Sequence, residues 1–255
     1  MSENRQERTL NVFQIRDLSI LSVLLELGAV DDRIIDSLHE SELDYFELEN
    51  KYKVLEEKVN IDEKTSLLKF QKGYMTNILK TASRIYHGIQ DKYYNIAFVR
   101  FDIDDFSNFN NRYGHEVGDK VLIETAKTIR ENSRPTDYVI RFGGEEIDVI
   151  LPSTTIDGAV TYAAKVITSV RDLRIPHDGE GLRVTLSAGL TSMKYSFAPE
   201  VSIKDDETEE IYRTMQSQAD DALYEAKSTG KDRFVVYAPE NEEAYKEYRR
   251  TYRKS

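Results

Sequence analysis

A chain of 255 residues with 40% hydrophobic content is long enough for one full domain and a smaller accessory segment. Its formal net charge of -11 argues against retention on nucleic acid or an anionic membrane surface by excess Lys and Arg, so an anionic ligand must be met locally. The absence of cysteine excludes disulfides, thiolate metal sites and cysteine nucleophiles and fits a reducing compartment; the scattered histidines His39, His87, His115 and His177 form no zinc-binding pair at helical spacing.

The most apolar stretch, LSILSVLLELGAV over 18–30, is shorter than the roughly 20 residues of a membrane helix and is interrupted by Glu26. It also lacks the basic flank and cleavage pattern of a signal peptide, so a cytoplasmic location without a membrane span is expected. Residues 10–30 carry enough Leu, Ile and Val for one or two short helices, within a small helical regulatory and dimerisation segment over 1–33. Over 34–61, Ile34, Leu38, Tyr45, Leu48, Tyr52, Leu55 and Val59 alternate steps of four and three, with Ser41 filling the gap. That heptad seam predicts a parallel dimeric coiled-coil stalk; the alternative is one amphipathic helix lying on its own domain.

The pattern then changes. A helix over 71–90 leads to the strand NIAFVRFDI (95–103), a helix after Gly118 and a strand pair around YVIRFGGEEIDVILP (138–152). A helix over 156–170, the strand LRVTLSAGLTS (182–192), a helix over 211–228 and the strand RFVVY (233–237) complete the domain. Helices alternating with strands that include a tight hairpin predict an α+β or mixed α/β domain over 62–238. The acidic stretch 198–210 reads as a solvated loop, and the charged tail 239–255 has helical character and no assigned function.

Two acidic clusters punctuate the strands. In the hairpin, Gly143 and Gly144 suit a tight connection that a ligand can approach closely, and Glu145 and Glu146 point to opposite faces if the strand has begun there. FDIDDF places Asp102, Asp104 and Asp105 at the end of an apolar strand. Asp102 brought near Glu145 makes an oxygen-rich site for Mg²⁺, which takes one or two carboxylates and completes its shell with water and phosphates. On spacing alone, such acids are more often a solvated edge or a helix N-cap than a metal site.

The chain resembles the GGDEF family of diguanylate cyclases, with GGEEI in place of GGDEF or GGEEF. The resemblance runs through DEKTSLL (62–68), FDIDDFSNFNNRYGHEVGDKVL (101–122), the hairpin, VTLSAGL (184–190) and ADDALYEAKSTGKDRF (219–234). It implies a polymerase-palm-like central sheet surrounded by helices, and condensation of two GTP into cyclic di-GMP. It implies two Mg²⁺ ions, for which Mn²⁺ can substitute, on Asp102, the carbonyl of Ile103 and Glu145, with Glu146 available to complete the shell and Glu145 as base. Phe106, Gly144, Asn110 and Asp119 match nucleotide-binding positions, Asn110 and Asp119 reading guanine. A carboxylate accepts from both N1–H and the N2 amine of guanine, a donor pair that adenine lacks. Lys227 and Lys231 match phosphate-contacting positions, with Lys where Arg is usual at the second.

RPTD (134–137) has the RxxD spacing of the family's product-inhibition site, which assigns cyclic di-GMP to Arg134 and Asp137, with Lys165 adding charge. A helix C-terminus followed by a turn accounts for the same residues, since Pro135 ends helices. Four positions of the opening block depart from the family pattern, Lys64, Ser66, Lys69 and Phe70. Ser107 stands where a transition-state-contacting Lys is common, and Ile147 replaces an aromatic at a strand position expected to be buried. One chain supplies one GTP half-site, so two domains must meet. A homodimer held by the stalk is the implied assembly, with an unidentified regulatory protein or signal acting on 1–60. The competing reading is a weak or inactive domain that senses cyclic di-GMP.

Overall fold

Strand and helix alternate from residue 61 onward because apolar residues repeat first at every second position and then at every third or fourth. The computed structural model describes residues 60–71, 73–86, 93–196 and 204–252. The expected amino-terminal helices and stalk lie outside the described residues, as does 198–203.

In chain order the elements are β1 (Leu68–Lys69), α1 (Tyr74–Tyr86), β2 (Tyr93–Ile103), α2 (Phe106–Tyr113), α3 (His115–Asn132), β3 (Tyr138–Gly143) and β4 (Glu146–Pro152). They continue as α4 (Ile156–Asp172), β5 (Ile175–His177), β6 (Glu180–Leu182), β7 (Leu186–Ser196), α5 (Asp205–Ser228), β8 (Phe234–Val236), a 3₁₀ turn (Pro239–Asn241) and α6 (Glu242–Tyr252). Six strands form one mixed sheet in the order β1-β3-β4-β2-β7-β8, and β5-β6 make a separate hairpin. β1–β3 and β7–β8 are parallel, and the four inner strands are antiparallel. This is the mixed α/β domain, a central sheet surrounded by helices, that the pattern predicts.

β2 lies between β4 and β7, and every residue from Ile96 to Ile103 is buried, as a strand covered on both faces requires. Its odd positions, Ala97, Val99, Phe101 and Ile103, pack with apolar residues of α3 and α4. Its even positions Ile96 and Phe98 pack with Met75, Ile78 and Leu79 of α1 and Met215 and Ala219 of α5. Period two then carries Arg100 and Asp102 onto the α1/α5 face, opposite Asp148 and Glu146 of β4.

Arg100 and Asp148, 5% and 0% exposed, form a bidentate pair at 2.7 and 2.9 Å, joined by Gln216 of α5 at 3.2 Å. Phe142 covers the guanidinium, 4.2 Å from its ring centroid. α5 approaches the sheet at Gly189, where a Cβ would lie 1.8 Å from the Ala219 carbonyl oxygen. That close approach sets the height of the last turns of α5 above the strand ends.

Several boundaries differ from expectation. α2 was not foreseen: Gly114 (φ 84) splits the region before Gly118 into two helices. β7 starts at Leu186, four residues later than expected, after the short β5-β6 hairpin. The second part of the acidic stretch is the first turn of α5, where Asp205, Asp206 and Glu207 favour the positive end of the helix dipole. The tail folds back in part: Tyr245 of α6 is 1% exposed and stacks on Tyr237 at 5.3 Å. No helix among the described residues is long and apolar enough to cross a membrane.

Candidate active site

The hairpin turn consists of Gly144 and Glu145, since Gly143 already pairs with Glu146. Gly144 has φ 51, a conformation that a side chain would strain, and the register shifts between Arg141 and Gly143. β4 therefore begins at Glu146, and the two glutamates are not consecutive strand residues. Glu145 stands in the turn, outside the pleat. Arg141 braces it by donating to the Gly144 carbonyl at 3.2 and 3.0 Å and to Asp62 at 2.9 and 3.1 Å. Asp62 also accepts from Thr65 N at 2.9 Å and Thr65 Oγ1 at 2.7 Å, which ties the DEKTSLL segment to the hairpin.

Glu145 lines an open cavity of about 270 Å³ with Asp102, Ile103, Asp105, Phe106 and Ser107 on one side and Tyr224, Lys227, Ser228 and Lys231 on the other. Phe106 is the first residue of α2 and is 8% exposed. Spacings of three and four along α5 turn Tyr224, Lys227 and Ser228 to one face. Lys231 follows the helix end with φ 59. Lys227 Nζ lies 2.7 Å from Asp102 Oδ2, and Lys231 Nζ lies 2.6 Å from Asp105 Oδ1.

The middle carboxylate of FDIDDF has a different task. Asp104 is buried and accepts from Thr185 Oγ1 at 2.7 Å, Ser187 Oγ at 2.6 Å and Asp232 N at 3.0 Å. It thereby fixes the turn that carries Lys231 and is not among the residues that line the cavity.

Asp102 is 5% exposed, and its Oδ1 is buried without a hydrogen-bond partner. Burial pushes its carboxyl above the ordinary aspartate range; the Lys227 ammonium opposes that shift, while the charges of Glu145 and Asp104 add to it. Glu146, register partner of Asp102, is likewise raised by burial, against the pull of Arg100 and with the push of Asp102. Glu146 is not among the residues that line the cavity, and neither is Gly144.

The donor set suits a hard cation completed by phosphate rather than an all-protein cage. Among the described residues no group of three or more His, Cys, Asp or Glu gathers to hold a metal. Mg²⁺ needs only one or two carboxylates, and a buried carboxyl pushed further up by the charge of a second acid is where a cation would lower the electrostatic strain.

Asn110 lies one turn beyond Phe106 on α2, with its Oδ1 buried and unpartnered. Gly118 of α3 makes room for it: a Cβ there would lie 1.7 Å from Asn110 Oδ1. The next residue, Asp119, has both carboxylate oxygens bonded by Lys64 Nζ at 2.7 Å. Arg134 is exposed and Asp137 is 5% exposed. Asp137 Oδ2 accepts from Arg134 N at 2.7 Å, so the carboxylate closes the turn after α3, while Oδ1 is buried and unpartnered. Lys165 is exposed on α4, one turn past Tyr162, whose hydroxyl meets Ser133 Oγ at 2.7 Å. None of Asn110, Asp119, Arg134, Asp137 and Lys165 lines the cavity.

Sequence reasoning did not identify Tyr224, Ser228, Arg141 or Asp62 as part of this region. The helical spacing to Lys227 was signal enough for the first two. The Asp62–Arg141 pair spans 79 residues and has no local signature.

Comparison with known proteins identifies the family and the fold. A sequence model described as "Diguanylate cyclase, GGDEF domain" matches residues 59–233. Diguanylate cyclase A of Treponema denticola is 35% identical over 141 residues, covering 55% of this chain and 35% of that protein. Diguanylate cyclase DgcP of Pseudomonas aeruginosa is 35% identical over 135 residues, covering 53% of this chain and 18% of that protein. The match thus spans about a third or less of the length of these relatives. Among solved structures, the isolated GGDEF domain of TpbB (YfiN) from P. aeruginosa superposes with a TM-score of 0.58 at 26% identity, covering 73% of this chain and 99% of that one. The GGDEF domain of DgcB from Caulobacter crescentus, solved in complex with c-di-GMP, shares the fold with a TM-score of 0.57 at 23% identity, over 70% of this chain and 93% of that one. A family match over more than half of the chain leads to one conclusion: the chain belongs to the GGDEF family of diguanylate cyclases.

Proposed function

We propose that this chain is an active diguanylate cyclase that condenses two GTP into cyclic di-GMP and two pyrophosphates, with GGEEI as a working variant of the signature. The observation that carries the reading is the unpartnered, buried Asp102 Oδ1 in one cavity with Glu145, Lys227 and Lys231. Asp102, the Ile103 carbonyl and Glu145, with Glu146 behind them, would hold Mg²⁺, which when bound neutralises phosphate charge and acidifies a nearby hydroxyl.

The chain's own groups divide the remaining work. Glu145 takes the proton of the attacking 3′-hydroxyl. Lys227 and Lys231 hold the triphosphate, and Phe106 with the bare Gly144 backbone shapes its approach. Asn110 and Asp119 read guanine. In each of two steps a 3′-oxygen forms a bond to the other nucleotide's α-phosphorus, and the bond to pyrophosphate breaks. Two half-sites must face each other, so the reaction belongs to a homodimer. Residues 34–61 would tether it as a stalk, residues 1–33 would receive a regulatory signal or protein, residues 62–238 would form the catalytic unit, and 239–255 a charged tail. A cytoplasmic location suits a GTP-consuming chain without cysteine.

Arg134 and Asp137, with Lys165, would bind cyclic di-GMP as inhibitor. The spare Asp137 Oδ1 supports this as an acceptor for guanine N1–H.

Incubating the full chain with GTP, ATP and Mg²⁺ and identifying products by mass tests the proposal. Cyclic di-GMP from the native protein and none from Glu145→Ala is the expected result. Binding of cyclic di-GMP without any synthesis would instead make the chain a receptor.

A further inference from the structure

The base-reading carboxylate has an occupant that belongs to this chain. Lys64 Nζ donates to both oxygens of Asp119 at 2.7 Å, on side chains 42% and 44% exposed. Guanine needs the same two oxygens, one for N1–H and one for the N2 amine. Asn110 Oδ1, by contrast, is unpartnered and already held in place against Gly118. One half of the base reader therefore has no hydrogen-bond partner and the other is filled.

We propose that Lys64 is a built-in latch on Asp119, an internal competitor that the Watson–Crick edge of guanine must displace before the nucleotide seats. This rests on Asp119 reading guanine. The contact is exposed and therefore weak, as a displaceable latch must be; a buried pair would close the site permanently. Lys64 sits two residues after Asp62, which is bonded to the hairpin through Arg141, so the segment that carries Lys64 is anchored. Lys64 would thus set the affinity for GTP without touching the reacting atoms.

The test is calorimetric binding of guanosine 5′-[α,β-methylene]triphosphate with Mg²⁺ to the full chain, which needs no turnover. Lys64→Met is expected to tighten binding about two- to fivefold, the range for releasing one exposed ion pair, while Lys64→Arg keeps the weaker affinity. The gap between native protein and Lys64→Met should shrink as salt rises, because screening loosens the latch. With the corresponding inosine nucleotide, which lacks the N2 amine and claims only one Asp119 oxygen, the gain should be smaller. Equal or weaker binding by Lys64→Met, or a gap indifferent to salt, overturns the latch while leaving guanine recognition standing. Binding by neither protein overturns guanine recognition and the latch with it.

Discussion

The ammonium of Lys227 holds one oxygen of Asp102 at 2.7 Å and leaves the other buried and bare. One helix thereby supplies the cation that opposes the upward push of burial on a carboxyl at the end of a buried strand, while the second oxygen has no hydrogen-bond partner. Lys227→Met is expected to keep the fold, since the lysine is half-exposed, and to slow product formation about ten- to a hundredfold, the range for losing a hydrogen bond to a charged group. Initial rates at saturating Mg²⁺, with circular dichroism as the folding control, check this.

Gly118 is shaped by Asn110. Replacing it with Ala should raise helix propensity, worth up to about 1 kcal/mol, yet push Asn110 Oδ1 out of its place. The expected outcome is a thermal midpoint near or above that of the native protein together with GTP binding weakened about tenfold, the scale of one unmade buried hydrogen bond. Melting curves and calorimetry on the same preparation separate the two effects.

The Arg100–Asp148 pair underlies the strand ends that carry Asp102 and Glu146. Asp148→Leu leaves a guanidinium buried without its partner and should lower unfolding free energy by about 3–5 kcal/mol, whereas the double change Arg100→Met with Asp148→Leu should recover most of that loss. Urea denaturation of both variants reads this directly. A double variant as unstable as the single one would show that the pair is not a self-contained unit.

Asp62 offers a pH signature. Burial pushes its carboxyl up, but hydrogen bonds from Thr65 and Arg141 outweigh that and hold it below the ordinary aspartate range. A depressed acid contributes stability that is present above its unfolded pKa and is lost as pH falls through the folded one. The native protein should therefore lose stability on acidification that Asp62→Asn, already weaker at neutral pH, does not lose. Stability measured by denaturant from pH 7 to pH 3 checks the difference in slope.

Much of this architecture is readable in advance, and the exceptions have physical causes. The alternation through NIAFVRFDI and the Gly pair before Glu145 mark the strands and turn, because period and backbone freedom are local properties. Asp102, Ile103, Phe106, Glu145, Lys227 and Lys231, singled out in the sequence, line one cavity. Asp104 looked like a third site acid, but its three donors come from residues 81 or more positions away, which no local pattern reports. Lys64 registers in the sequence only as a departure from the family pattern, and its contact with Asp119 crosses 55 residues. Ile147 at 0% exposure shows why an aliphatic residue fits at that strand position.

The proposed synthesis requires Asp102 and Glu145 to share a cation with the nucleotide. Crystals grown with Mn²⁺ and guanosine 5′-[α,β-methylene]triphosphate should show an anomalous peak within about 2.2 Å of both Asp102 Oδ1 and a Glu145 oxygen, bridged to phosphate oxygens. A nucleotide bound in the cavity with its metal held by neither carboxylate would contradict it.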